Sequence, residues 1–164
     1  IHEGTTGIQA MDLLGRKMMM KNGRAGLLYL AEVRKAIQAA ENDPDLKPHA
    51  RVLERALGLL QKVTGHLFSI AARGRQDLFL ADATLYLEFF GIIAIAWQWL
   101  IQATAAKRAL DGGLQAADVN FYQGKIYACR YFFGYELPKI EGLAVRLQNG
   151  DGLTTEIKNE YFGE

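Results

Sequence analysis

The chain has 164 residues and a mass of 18.2 kDa, the size of a single domain. Half of it is hydrophobic and 10% is aromatic, which supplies a core and excludes a disordered tail. Lys and Arg (19) nearly balance Asp and Glu (18) for a net charge of +1, so no global basic excess recruits nucleic acid, and the single cysteine, Cys129, excludes an internal disulfide and leaves secretion unsupported.

Apolar residues recur at spacings of three and four, so the chain reads as helices throughout. The first helix starts after Gly4, with Thr6 and Gln9 in the spacing of a capping box. Its stripe is Ile8, Met11, Leu14 and Met18. Asn22-Gly23 ends it, since glycine accepts the left-handed conformation found just past a helix. A second helix runs from about Arg24 to Glu41 on Leu30, Val33, Ile37 and Ala40. Asn42-Asp43-Pro44-Asp45 is a loop, and Pro48 is tolerated in the first turn of the next helix.

The third helix covers about Pro48–Arg73, with Leu53, Ala56, Leu57, Leu60, Val63, Leu67 and Ile70 on one face. Gly74 breaks it. A fourth helix is predicted from about Asp77 to Leu110, about 50 Å long at 1.5 Å per residue. It has almost no polar face, which marks a central helix with neighbours on several sides. Its most apolar stretch, Phe89–Leu100, is shorter than the roughly 20 residues of a membrane span, so a buried helix and no membrane are expected. The fifth helix is predicted over about Gln115–Gln148, kinked at Pro138 against Gly134 but continuous. Asn149-Gly150 stops it, and residues 150–164 read as a tail. Short links between long helices favour antiparallel neighbours, giving an all-α, up-and-down bundle.

Most candidate chemical groups read as structural. His2, His49 and His66 lack metal-ligand spacing, and the latter two read as solvated or capping residues. Cys129 lies on an apolar stripe with no basic cluster to make a thiolate. Trp97, Trp99 and Tyr131-Phe132-Phe133 read as bundle core. Met18-Met19-Met20 spans three faces, so at least one methionine meets solvent or a partner. Lys125, Arg130, Lys139 and Arg146 read as a solvated face. The charge is uneven along the chain, with residues 1–75 at +5 (12 basic, 7 acidic) and residues 76–164 at −4 (7 basic, 11 acidic).

The exception is Ile1-His2-Glu3-Gly4-Thr5-Thr6-Gly7-Ile8-Gln9. A carboxylate stands ahead of a Gly/Thr-rich turn that opens a helix. Glycines let backbone approach a ligand, and the free N–H groups of a helix start favour an anion such as a pyrophosphate. An ordinary helix start is the competing reading of these residues.

This segment resembles the catalytic-glutamate motif of the flavin-dependent acyl-CoA dehydrogenases, roughly Tyr-Glu-Gly-Thr-x-x-Ile-Gln, with His2 where tyrosine is usual. The continuation Ala10-Met11-Asp12-Leu13-Leu14-Gly15-Arg16-Lys17 resembles the subgroup with an extra C-terminal helical domain, the 3-methylmercaptopropionyl-CoA dehydrogenase-like enzymes. The resemblance implies that Glu3 is the base that removes the α-proton of an acyl-CoA and that Gly4 meets the substrate. It also implies that Thr5, Thr6 and Gly7 contact FAD, which can be shared across a subunit interface. It places residues 1–22 at the end of the catalytic domain, 23–149 in an appended bundle and 150–164 in a tail. It implies a homo-oligomer, with an electron-transfer flavoprotein as partner.

The family's remaining domains would precede Ile1, and no Rossmann glycine motif is present. The start on Ile1 without a leader fits a cytoplasmic, processed or partial chain. Taken alone, the chain is expected to be colourless and inactive. Two alternatives are a helical oligomerisation module and a nucleic-acid-associated, DNA-repair-linked relative; the charge of +1 speaks against the second.

Overall fold

The computed structural model describes residues 4–113 and 116–163. Among these residues the chain is helical with no strand, in the order α1 (Thr6–Met11), α2 (Arg24–Glu41), α3 (Lys47–Ala72), α4 (Gln76–Ala81), α5 (Ala83–Asp111), α6 (Ala116–Tyr131), α7 (Ile140–Asn149) and α8 (Leu153–Glu156).

The predicted stripe of α3 forms the spine of the core. Leu53, Ala56, Leu57, Leu60, Val63, Leu67 and Ile70 are all buried, as are Tyr86, Phe89, Ile93, Ala96, Leu100 and Ala103 of α5. These two helices pack together, with the hydroxyls of Thr64 and Tyr86 hydrogen-bonded at 2.8 Å across them. α2 lies against both on one side, and α7 against both on the other, while α6 runs along α5. Cross-links fix the directions. Arg34 of α2 pairs with Glu54, Lys107 near the end of α5 pairs with Asp45 just ahead of α3, and Arg146 of α7 pairs with Asp82 just ahead of α5. Consecutive long helices are therefore antiparallel, and the all-α bundle is up-and-down.

By length and composition α5 could also cross a membrane. Here it packs against α1, α2, α3, α6 and α7, while Ile95 and Ile101 stay exposed.

Four expectations need correction. The helix predicted over Asp77–Leu110 is two helices, broken at Asp82, where ψ is 27°. The Asp82 carboxylate is engaged by Arg146, whose Nε donates to Oδ2 at 3.1 Å and whose Nη2 lies 2.9 Å from the same oxygen. The second guanidinium arm, Nη1, donates to Asp151 Oδ2 at 2.7 Å, so Arg146 is a clasp and not part of a solvated face.

The second correction concerns Pro138. The helical path continues through it, but the ladder does not. Residues Phe132–Glu136 form a π turn, with the Leu137 N–H donating to the Phe132 carbonyl, and Leu137–Lys139 a 3₁₀ turn. Proline has no N–H and crowds the carbonyl four residues back, so the ladder re-registers on both sides of it. Gln115, the predicted start of this helix, lies outside the described residues.

Third, the tail is not featureless. α8 packs on α4, anchored because Asp151 Oδ1 accepts the Leu153 N–H at 3.1 Å. The Arg146 hydrogen bond, and to a lesser degree that N–H, lowers the Asp151 pKa.

Last, His49 and His66 are half-buried, each with one ring nitrogen unpartnered. His49 stands edge-on to Phe133, 5.1 Å between ring centres, and burial lowers its pKa. Of the predicted aromatic core, Phe133 is buried and Trp97, Trp99 and Phe132 pack half-buried against the rest of the core, whereas Tyr131 is exposed.

Candidate functional site

The chemistry-bearing segment leads into α1. Glu3, the predicted base, and His2 beside it lie outside the described residues. Gly4 has φ +95°, a conformation that residues with a Cβ rarely adopt, and an added Cβ would meet nothing within 4 Å. Its backbone is therefore open to approach from outside the chain. Thr5, not Thr6, stands at the N-cap, with no side-chain capping bond of its own. Its carbonyl accepts the Gln9 N–H at 2.9 Å, and its hydroxyl accepts the Gln9 amide at 3.3 Å. The capping box expected at Thr6 is absent because α1 begins one residue earlier than its spacing required. Thr6 and Gly7 lie in the first turn, where backbone N–H groups have no intrahelical acceptor.

Everything from Gly4 to Gln9 is exposed. Among the described residues, Gly4, Thr5, Thr6 and Gly7 form one exposed edge with no opposing wall. Backbone N–H groups at such an edge can meet an anion from one side.

α1 itself is well seated. Ala10 and Leu14 are fully buried against α5, where α1 and the succeeding π turn Asp12–Lys17 pack. Of the expected stripe, Leu14 is buried and Met18 packs against the core, while Ile8 is 65% and Met11 47% exposed. Of the three consecutive methionines, Met19 and Met20 are exposed, as expected for at least one of them. Cys129 is fully buried, and that burial pushes its thiol up to about 12. Among the described residues no cluster of three or more His, Cys, Asp and Glu could hold a metal ion.

The sequence profile of the acetyl-CoA dehydrogenase C-terminal-like family matches residues 29–158, most of the chain. The chain belongs to this family. It is 26% identical over 168 residues to a broad-specificity linear acyl-CoA dehydrogenase of Mycobacterium tuberculosis, covering 99% of this chain and 27% of that protein. It is 30% identical over 158 residues to the 3-methylmercaptopropionyl-CoA dehydrogenase of Ruegeria pomeroyi, 94% of this chain and 26% of that one. A butyryl-CoA dehydrogenase of Syntrophomonas wolfei is 26% identical over 161 residues, 98% and 26% respectively. The chain therefore spans about a quarter of the length of the curated relatives it matches. The family's matched region begins at Tyr29, inside α2, so the edge at Gly4–Gly7 and all of α1 lie ahead of it.

One further feature left little trace in the sequence. A cavity of about 270 Å³ opens between α2, α3 and α5, walled chiefly by Met18, Leu27, Tyr29, Leu30, Phe68 and Phe90. The Tyr29 hydroxyl is buried without a partner, and burial, with the nearby Tyr86, pushes its pKa up to about 12. The signal available in the sequence was the glycine content of the walls, Gly23, Gly26 and Gly65.

Proposed function

We propose that this chain forms the C-terminal quarter of a flavin-dependent acyl-CoA dehydrogenase, the enzyme class that introduces an α,β double bond into an acyl-CoA thioester. Membership of the acetyl-CoA dehydrogenase C-terminal-like family carries the reading. The motif Glu3-Gly4-Thr5-Thr6-Gly7-Ile8-Gln9 ahead of the matched region supports it.

In this reading Glu3 removes the α-proton. That proton is only weakly acidic beside a thioester, so the base needs a pKa raised towards the working pH. Exclusion of water by the acyl chain raises it. The positive end of α1, whose N-cap Thr5 stands two residues later, works in the opposite direction. Desolvation must therefore be the larger effect. Gly4 presents backbone to the substrate, and Thr5, Thr6 and Gly7 hold one edge of FAD. When bound, FAD supplies the acceptor for the hydride from the β-carbon. Because this edge has no opposing wall within the described chain, the rest of the site comes from the longer polypeptide or from another subunit of a homo-oligomer. An electron-transfer flavoprotein is the expected redox partner.

The test is Glu3→Gln in the longer polypeptide. The amide keeps the shape and removes the proton acceptor. Flavin absorbance should be retained while acyl-CoA oxidation falls about a hundred- to ten-thousand-fold, the range for losing a general base. Normal turnover in that variant would remove Glu3 from the mechanism.

A further inference from the structure

At the Gly4–Gly7 edge one residue holds Thr5 at two points. The Gln9 backbone N–H donates to the Thr5 carbonyl at 2.9 Å, and Gln9 Nε2 donates to Thr5 Oγ1 at 3.3 Å. The first bond is the ordinary contact of a helix with the residue four before it. The second is not required by the helix. A threonine at an N-cap ordinarily has extended backbone and turns its oxygen to an N–H of the first turn. Thr5 has φ −114° and ψ −7°, in the right-handed helical region, and makes no such bond. Among the described residues the Gln9 amide is the partner its hydroxyl has.

The direction of that bond decides what Thr5 can offer a ligand. The nitrogen of an amide side chain donates and does not accept, so the hydroxyl is the acceptor there. A hydroxyl carries one proton of its own. With its oxygen engaged by Gln9, that proton has no acceptor among the described residues, and Thr5 is exposed. The nearest described acid in the chain, Asp12, is held by Arg16 and does not compete for it. Gln9 is exposed as well, so its bond to Thr5, and not packing, sets the position of its side chain.

We propose that Gln9 is a positioning residue for FAD: by donating to Thr5 Oγ1 it fixes that hydroxyl as a hydrogen-bond donor towards the cofactor. The inference rests on the flavin reading above and deepens it at Thr5. The phosphate and carbonyl oxygens of FAD accept hydrogen bonds and do not donate them, so a hydroxyl of the opposite polarity would face them lone pair to lone pair.

The test is a double-mutant cycle in the longer polypeptide, read as FAD dissociation constants from flavin fluorescence. Thr5→Val keeps the shape, and it removes no capping bond because Thr5 makes none. It should weaken FAD about tenfold, as expected for one hydrogen bond to a charged acceptor. Gln9→Glu keeps the side-chain length, but a carboxylate only accepts, so it takes the Thr5 proton and turns the hydroxyl oxygen to the cofactor. FAD should weaken by about tenfold or more. Part of that penalty is repulsion between the new carboxylate and the phosphates, and the cycle separates the two parts. In the Thr5→Val protein only the repulsion is left, so the penalty of Gln9→Glu should shrink at least about fivefold. Gln9→Lys, which donates without accepting, should bind FAD at least as tightly as the unaltered protein. The same Gln9→Glu penalty in both backgrounds, with Thr5→Val itself weakening FAD, overturns the role of Gln9 and leaves the Thr5 contact standing. A Gln9→Lys protein as weak as Gln9→Glu overturns it too. If Thr5→Val leaves FAD affinity unchanged, the flavin contact of Thr5 is itself wrong and this inference falls with it.

Discussion

Leu100 and Ile8 are both aliphatic residues on predicted helical stripes, and they end in opposite environments. Leu100 is fully buried within α5, whereas Ile8 is 65% exposed on α1. The difference lies in the length over which each stripe acts. α3 and α5 run 26 and 29 residues, so many apolar positions agree on one inward face and a local error is outvoted. α1 has six residues and passes directly into a π turn, so few apolar positions define its inward face. Leu14 of the predicted stripe is buried, but Ala10 points inward in place of Ile8 and Met11.

Deleting the same aliphatic bulk in both regions tests this contrast most severely. Leu100→Ala should cost about 2–5 kcal/mol, as in other well-packed cores. Ile8→Ala should stay within about 0.5 kcal/mol in the isolated chain. Urea unfolding of the two variants measures both. Equal losses would mean that α1 buries Ile8 in solution, against the structure.

A second, smaller contrast is in pH dependence. The bundle interior holds Cys129, Tyr86 and Tyr29, each pushed up to about 12 by burial, with a hydrogen bond from Thr64 partly offsetting the effect at Tyr86. A folded-state pKa above the unfolded value means that the unfolded chain releases its protons first as pH rises. The contribution of these groups is therefore complete below about pH 9 and is lost between there and about pH 12. Urea midpoints should hold steady from pH 7 to about 8.5 and then fall, with a thiol reagent leaving Cys129 untouched at about pH 8. A midpoint that rises above about pH 9, or prompt Cys129 modification in the folded chain, would contradict the buried assignment. The arm before Gly23 contains neither cysteine nor tyrosine, so variants there should leave this alkaline limb unchanged.

The same contrast explains what was legible in the sequence. The bounds and inward face of α2, and all seven buried positions of α3 named from its stripe, followed from periodicity because burial on one side sets periodicity. The break at Asp82 was not legible. Asp82 is paired with Arg146, 64 residues away, and a long-range ion pair leaves no local pattern. The clasp made Arg146 look like a surface charge for the same reason. The apolar cavity was hidden because its walls come from three helices, and each helix taken singly looks well packed. At the candidate site the order was reversed. The residues Gly4, Thr5, Thr6 and Gly7 stood out by motif, while their openness could be learned only from what does not surround them.

The smallest effect concerns the joint between the two regions. Lys21, Asn22 and Gly23 have φ values of 51°, 56° and 78° in succession, all left-handed. Gly23 has no Cβ to clash, and asparagine tolerates this region through its short polar side chain. Lysine has neither advantage, and a left-handed residue of that kind costs about 1–2 kcal/mol. Lys21→Gly removes the clash but adds chain entropy to the unfolded state, an opposing effect of about 0.4–1 kcal/mol. The net expectation is a stabilisation of about 0.5–1 kcal/mol, from those two ranges taken together. It should be read from urea midpoints at constant denaturant slope, because a changed slope would report an altered denatured state. A destabilised Lys21→Gly chain would show that the joint is held in this conformation without strain.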